Sequence, residues 1–388
     1  MGVSLGIVST YPATQCGIAT FCESLVTYLV RAGADVGVVR VVDQPGPTTA
    51  PVVHHWVAPE AGGAARAAGV LDGFDAVLVQ HEYGIFPGDD GEAIVDVVAR
   101  LHVPVITVLH TVLTSPTANQ HRVLAGLVRH SAALVTMTET ARDRLLAGWD
   151  VDPARVSVIP HGAVENRSHT PGAWTSVAPE RRTVLTWGLL SEGKGIEWAL
   201  LGLAELRERM ALPTYVVLGQ THPRVREREG EVYRDGLQRI VRDLELTETV
   251  RFDDRYLAGP DLRRAVRAAD VVLLPYDSRE QVTSGVLTEA VAAGKPVVST
   301  AFPHAVELLS GGAGILVARR DPSAIANALE RVLGVDGVAE RMAAASRDLA
   351  GTLLWPTVAE RYVALAAGLC AADRGFAGQH GARLRPAV

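Results

Sequence analysis

The most constraining feature of this sequence is a regular alternation of short runs rich in β-branched residues with longer segments of helical periodicity. In the first half, ADVGVVRV, AVLVQH and VPVITVLH are strand candidates, and residues 19–33 have helical spacing. Strands without polar alternation are typical of parallel sheets that helices cover on both faces. The pattern therefore predicts an α/β fold with doubly wound parallel sheets.

The chain length and one break in this alternation predict two domains. A chain of 388 residues exceeds one ordinary hydrophobic core, and the polar stretch 165–180 has two prolines and no period. We predict Rossmann-like domains over 1–170 (N-terminal) and 171–355 (C-terminal), a helix over 356–370 and a flexible tail over 371–388. Because parallel sheets bind ligands at the carboxyl ends of their strands, we expect the site in a cleft between the two domains.

Composition excludes several classes of function. A net charge of -6 gives no basic surface for nucleic acid. Three cysteines without CxxC spacing predict neither a disulfide framework nor a zinc site. The N-terminus lacks the features of a signal peptide, and no apolar run reaches the roughly 18 residues of a membrane span. We therefore expect a cytoplasmic protein, with peripheral membrane contact still possible and its oligomeric state not predicted.

Two strand-to-helix loops have the features of an anion site. In STYPATQCGIATF, Gly17 stands near the start of a helix, where backbone amides and the helix dipole favour phosphate. In TWGLLSEGKG, Gly188 follows a strand, and Lys194 supplies an ammonium beside the next helix. Neither loop is a GxGxxG or Walker A motif, so a turn glycine and a solvated lysine are equally good interpretations of the residues alone.

A third loop, EQVTSGVLTEAVAAGKP, combines a helix start with a carboxylate. Thr283 or Ser284 is a suitable N-cap, and the amides from there to Gly285 would face an anion. Glu289 lies one to two turns inside this helix, on an apolar run where an unused charge is costly. It is either a ligand contact or a structural acceptor for a neighbouring loop.

Histidines end three strands of the first half. His81 is followed by Glu82 and Tyr83, His110 ends the next strand, and His161 ends VSVIPH. One such histidine is usually a satisfied loop residue, but several at ligand-side strand ends favour substrate contact. No HExxH motif or Cys/His cluster indicates a metal.

Taken in order, these loops resemble the retaining GT-B glycosyltransferases of family four over nearly the whole chain. Their G-R-L-x-x-x-K-G loop is similar to residues 188–195, and their E-x7-E segment is similar to residues 281–297. Their I-P-N-G segment resembles IPHG at 159–162, and their strand-ending histidine matches His110. Their final Trp-containing segment resembles the end of this chain and implies a helix that crosses back to the N-terminal domain.

The resemblance implies transfer of a sugar from a nucleotide-diphospho-sugar with retained anomeric configuration and no obligatory cofactor or metal. In that role, Glu289 would bind the donor ribose, and Lys194 would neutralise the diphosphate. The remaining donor contacts would be Gly17, Gly188, Thr283, Ser284 and Gly285. His110 and Gln281 would act at the donor sugar, and His81, Glu82 and Tyr83 would lie near the acceptor.

The sequence departs from the family pattern in three ways. The usual G-F-G becomes Val282-Thr283-Ser284-Gly285, which moves the glycine by one position. The first glutamate of E-x7-E is Gln281 here, whose amide can still bond sugar hydroxyls. The usual diphosphate arginine is Leu189, so Arg279 or Arg224 would have to replace its contact.

We therefore expect a hexosyltransferase acting on an oligosaccharide or glycoconjugate in bacterial polysaccharide assembly. GDP-mannose is the favoured donor, and a UDP-sugar is possible. Two other interpretations stay open: a non-catalytic protein that binds sugar nucleotides, and a nucleotide-sugar epimerase that needs no acceptor.

Overall fold

The computed structural model describes residues 2–44, 46–58, 60–167, 181–257 and 259–381, the last nine of these as backbone only. The chain forms two compact units. One contains residues up to Pro160 together with those from Trp355 onward, and the other contains His161–Leu354. Most of the predicted linker, residues 168–180, lies outside the described residues.

The first unit is built on a seven-stranded sheet in the order β3-β2-β1-β4-β5-β6-β7, with every neighbouring pair parallel. The strands are β1 (Ser4–Ser9), β2 (Asp35–Val42), β3 (Val52–Val57), β4 (Ala76–His81), β5 (Val105–Leu109), β6 (Ala133–Thr136) and β7 (Val156–Val158). Its helices are α1 (Gly17–Arg31), α2 (Gly63–Leu71), α3 (Ala93–Val98), α4 (Ala118–His130), α5 (Glu139–Gly148) and, from the end of the chain, α14 (Trp355–Gly381).

The second unit repeats this plan with a six-stranded parallel sheet in the order β10-β9-β8-β11-β12-β13. The strands are β8 (Thr183–Trp187), β9 (Thr214–Leu218), β10 (Val250–Asp253), β11 (Val271–Leu274), β12 (Val297–Thr300) and β13 (Gly314–Val317). Its helices are α6 (Ile196–Leu206), α7 (Pro223–Glu229), α8 (Val232–Asp243), α9 (Gly259–Ala268), α10 (Gly285–Ala292), α11 (Pro303–Leu309), α12 (Pro322–Gly334) and α13 (Val338–Leu353).

Alternate residues of the second sheet enter two separate hydrophobic clusters. On β8, Val184 belongs to one cluster and Leu185 to the other, and on β9 Val217 and Val216 divide in the same way. Successive strand side chains point to opposite faces of a sheet, so helices cover both faces. This confirms the predicted doubly wound parallel architecture.

The predicted helix over 356–370 lies within α14, which continues to Gly381 and so extends into the predicted tail. Ala371 and Ala372 are strong helix formers, and the first proline beyond them is Pro386. Residues 382–388 lie outside the described part of the chain.

Candidate active site

The loop after β8 brings Lys194 to the carboxyl edge of the second sheet. Gly195, just before α6, has a left-handed backbone with φ of 65°. A Cβ there would collide with the carbonyl oxygen of Pro275, which follows β11. The N–H of Asp277 also donates to the carbonyl of Gly193 over 2.9 Å. Close backbone approach therefore ties this loop to the end of β11 and requires glycine.

Positive charge is concentrated around Lys194. Its Nζ lies 4.4 Å from the centroid of the Tyr276 ring, a cation–π arrangement. Burial lowers the pKa of Lys194 to about 8. Burial also lowers the pKa of His222, and the nearby charges of Arg224 and Lys194 lower it further. This part of the site is therefore suited to an anionic group.

Glu289 lies on α10 near the end of β8. The Trp187 side chain hydrogen-bonds to it, and Arg263 is near enough for its charge to favour the carboxylate. Burial outweighs both and raises the pKa of Glu289 to about 7. Glu289 is therefore a half-buried carboxyl that is balanced between its two charge states near neutral pH.

The start of α10 is crowded by two histidines. Ser284 is the N-cap, and its side chain accepts from the N–H of Leu287 over 3.2 Å. Its own N–H donates to Nδ1 of His304 over 2.8 Å. A Cβ on Gly285 would lie 2.8 Å from Nε2 of His161. The Ser284 amide that we predicted to face a ligand is thus used by His304, whereas none of the hydrogen bonds described for this helix start uses the amide of Gly285.

Both histidines are held neutral by burial. Burial lowers the pKa of His161 to about 4 and that of His304 to about 3. Nδ1 of His161 donates to the carbonyl of Gly162 over 2.8 Å, so its Nε2 is an acceptor. Nδ1 of His304 accepts, so its proton is on Nε2. The two rings therefore have opposite tautomers.

Gln281 and Thr283 form the turn into α10. Nε2 of Gln281 donates to the carbonyl of Thr283 over 3.2 Å, and its backbone N–H donates to Oγ of Ser278 over 3.2 Å. The Thr283 hydroxyl is buried and has no partner among the described residues. An added Cβ on Gly188 would lie 3.7 Å from Val286 of α10. The second unit thus gathers seven predicted donor-side residues at one sheet edge: Gly188, Lys194, Gln281, Thr283, Ser284, Gly285 and Glu289.

Gly17 and His110 belong to the first unit. Gly17 is the first residue of α1, and an added Cβ there would meet nothing within 4 Å. His110 follows β5 and is buried, with its Nε2 2.8 Å from Oε1 of Gln80. Its ring also lies edge-on to Phe21 of α1, with 4.8 Å between centroids. The Gln80 contact fixes the plane of the His110 ring.

The predicted acceptor-side residues differ in how they are held. His81 is 1% exposed, and neither ring nitrogen has a partner among the described residues. Burial lowers its pKa to about 4. Glu82 accepts from the Thr111 hydroxyl over 2.6 Å and from the N–H of Tyr83 over 2.9 Å, while burial raises its pKa. Glu82 thus has hydrogen-bond partners on its own loop and on the loop after β5, whereas the ring nitrogens of His81 have none among the described residues.

Sequence reasoning did not identify His304 or Tyr276. Tyr276 lies in the loop after β11 and His304 at the start of the helix that follows β12, so their position past strand ends was a usable signal. Among the described residues, no group of three or more His, Cys, Asp or Glu side chains could hold a metal ion. Within the same residues, no helix has the length and apolar character needed to cross a membrane.

Two family models match the chain. Residues 16–167 match the model described as Glycosyltransferase Family 4, and residues 181–334 match Glycosyl transferases group 1. The D-inositol 3-phosphate glycosyltransferase of Corynebacterium diphtheriae is 31% identical over 247 residues, which are 61% of this chain and 56% of that protein. The glycogen synthase of Mycobacterium tuberculosis is 30% identical over 261 residues, 66% of this chain and 58% of that protein. The chain thus spans little more than half the length of these relatives.

Solved structures show the same fold. Anabaena HepE in complex with UDP and glucose has a TM-score of 0.73 and 17% identity, covering 94% of this chain and 100% of that chain. Sucrose-phosphate synthase from Thermosynechococcus elongatus has a TM-score of 0.77 and 17% identity, covering 95% and 100%. At this level of identity the likeness concerns the fold alone, and it confirms the predicted GT-B fold.

Proposed function

We propose that this chain, whose family matches support a glycosyltransferase of the family-four type, transfers a hexose from a nucleotide-diphospho-sugar to a hydroxyl of a glycan acceptor with retention of configuration. The observation that carries the proposal is the presence, at one sheet edge, of a half-buried cation and a half-buried carboxyl. Lys194 suits a diphosphate, and Glu289 suits a pair of sugar hydroxyls.

In this proposal the second unit binds the donor. Lys194 neutralises the diphosphate, which gains negative charge as the sugar leaves. Arg224 takes the place of the family arginine that is Leu189 here, because it shares the surroundings of His222 with Lys194. Glu289 accepts from the ribose hydroxyls, and Gln281 contacts the sugar. Gly188, Thr283, Ser284 and Gly285 shape the surface that the donor approaches.

The first unit supplies the remaining roles. We assign His110 to the transferred sugar. We assign Gly17 to a donor phosphate, because it is exposed and is the first residue of α1. We assign the acceptor to the loop containing Glu82 and Tyr83. His81 has too little exposed surface to touch a ligand directly, so its part in this proposal is to support that loop.

The family resemblance favours mannose from GDP-mannose, whereas the HepE structure contains UDP and glucose. A thermal-shift screen with GDP-, UDP- and ADP-sugars separates these donors, since a ligand that binds only the folded protein raises the melting temperature. Turnover is then measured as nucleoside diphosphate released when glycan acceptors are added, and the anomeric configuration of the product is read by NMR.

The same assay separates the other interpretations. Binding without release of nucleoside diphosphate from any donor would indicate a non-catalytic sugar-nucleotide-binding protein. Conversion of the donor without acceptor would indicate an epimerase. Either result would overturn the proposed transferase activity.

A further inference from the structure

The turn between β11 and α10 is held at both ends by one residue, His304, of the first turn of α11. The backbone N–H of His304 donates to the carbonyl of Gln281 over 3.4 Å. Its ring Nδ1 accepts from the N–H of Ser284 over 2.8 Å. Between these ends, the Val282 side chain is 1% exposed. His304 therefore fixes the path of residues 281–284 from outside the turn.

Gln281 supports the same turn from inside. Its Nε2 donates to the carbonyl of Thr283, two residues along the chain. Only an N–H or O–H can make this bond, because the partner is an acceptor. A glutamate at this position, which the family usually has, would place a carboxylate oxygen opposite that carbonyl oxygen. The turn of this protein is therefore built for a neutral amide.

We propose that Gln281 is a positioning and specificity residue that functions as an amide and does not stand in for the family glutamate. One N–H of Nε2 is used by the turn, so Oε1 is available to accept from a hydroxyl of the donor sugar and the second N–H is available to donate to one. The contact between Gln281 and the donor sugar rests on the proposed function. His304 completes the arrangement as a positioning residue, because it holds the two ends of the turn that carries Gln281.

If Gln281 merely stood in for the family glutamate, restoring the glutamate would keep or raise activity. Our proposal predicts the opposite. Restoring the family residue with Gln281→Glu breaks the Thr283 contact and adds a charge that the turn does not accommodate. We expect kcat/KM with the best donor to fall about tenfold or more, to the level of Gln281→Ala. Activity of Gln281→Glu equal to or above that of the wild type would overturn the proposal.

Amide hydrogen exchange tests the turn without any need for turnover. In the wild type the Ser284 amide should be protected, and peptides spanning 276–287 should exchange faster in Gln281→Glu. His304→Asn keeps an acceptor side chain and should keep most of the Ser284 protection, whereas His304→Ala should lose it. Unchanged exchange in both Gln281→Glu and His304→Ala would refute the role of the turn.

Turnover and hydrogen exchange together distinguish a failure of the proposed function from a failure of the inference on Gln281. If the wild-type protein releases no nucleoside diphosphate, the proposed function fails, but the exchange experiment still decides whether the turn needs an amide. If the wild type turns over and Gln281→Glu is fully active, the proposed function stands and the inference on Gln281 fails.

Discussion

The carboxyl edges of both sheets hold buried, neutral histidines, but the second edge also holds a lysine and a glutamate whose pKa values are shifted toward neutrality. In the second unit, burial brings the pKa of Lys194 to about 8 and that of Glu289 to about 7, so both groups can change charge near neutral pH. In the first unit, burial lowers the pKa of His81 to about 4, so this ring stays neutral. The comparison teaches that burial alone does not define a site. What matters is whether the shifted pKa leaves a charge available, and this difference agrees with the donor and acceptor roles that we propose for the two units.

The largest effect expected from this comparison is at Glu289. Glu289→Ala removes the acceptor of two proposed ribose bonds, each worth about 1.5–3 kcal/mol when charged. We expect kcat/KM to fall about 100-fold or more, measured by release of nucleoside diphosphate. The exposed Glu340→Ala on α13 is a control with the same charge change, and it should keep wild-type activity. Full turnover in Glu289→Ala would remove the carboxylate from the mechanism.

Lys194 gives the next effect and a pH dependence with a definite sign. Only the protonated ammonium attracts a diphosphate, so affinity should fall as pH rises through the pKa of about 8. Between pH 7 and 9 the protonated fraction falls about tenfold, and the dissociation constant of the nucleoside diphosphate should rise by about the same factor. Isothermal titration calorimetry at each pH measures this dissociation constant.

Lys194→Met is the reference for this measurement, because it keeps a long apolar side chain without the charge. It should bind about 10–100 times more weakly at pH 7. Glu289 also titrates in this range, so the difference between the two pH profiles isolates Lys194. Identical profiles for the wild type and Lys194→Met would show that Lys194 is not the diphosphate contact.

Gly285 and Gly17 test a second difference between the two units, the steric crowding at the start of a ligand-side helix. Each glycine is the first residue of its helix. Gly285→Ala would bring a Cβ to 2.8 Å from Nε2 of His161 and must displace it, at a cost of about 1–3 kcal/mol. Gly17→Ala meets nothing within 4 Å and should leave the free energy of unfolding unchanged. Denaturant unfolding compares the two variants, and equal stability of both would contradict the crowding at Gly285.

The smallest effect concerns the acid stability of the first unit. The pKa of His81 is lower in the folded state than in the unfolded state, so its contribution to stability is present above pH 6.5 and is lost as pH falls toward 4. Between pH 6.5 and 5.5 this loss is about 1 kcal/mol. His81→Leu should remove that share, measured as a flatter dependence of the unfolding free energy on pH. An unchanged slope would show that His81 is protonated or bonded in the native state.

Much of the site could be predicted from the sequence because its signals are local. Lys194 and Glu289 stand at fixed distances from glycines and strand ends, so the βαβ pattern alone placed them at a ligand-side edge. The strand β3 was not predicted, since the two histidines in VVHHWV interrupt its apolar run. His304 and Tyr276 were also missed, because their importance comes from contacts with Ser284 and Lys194 on other loops.

The sequence by itself determined the parallel α/β architecture and the loops in which a ligand should be sought, because β-branched runs, helix caps and turn glycines act over a few residues. Only the tertiary structure decided which groups are charged and which amides are accessible. Burial shifts a pKa according to neighbours that are distant along the chain, and the amide of Ser284 is taken by a histidine twenty residues later. At Gln281 the sequence showed an exception to a pattern, and the fold supplied its physical reason, a carbonyl that needs a donor.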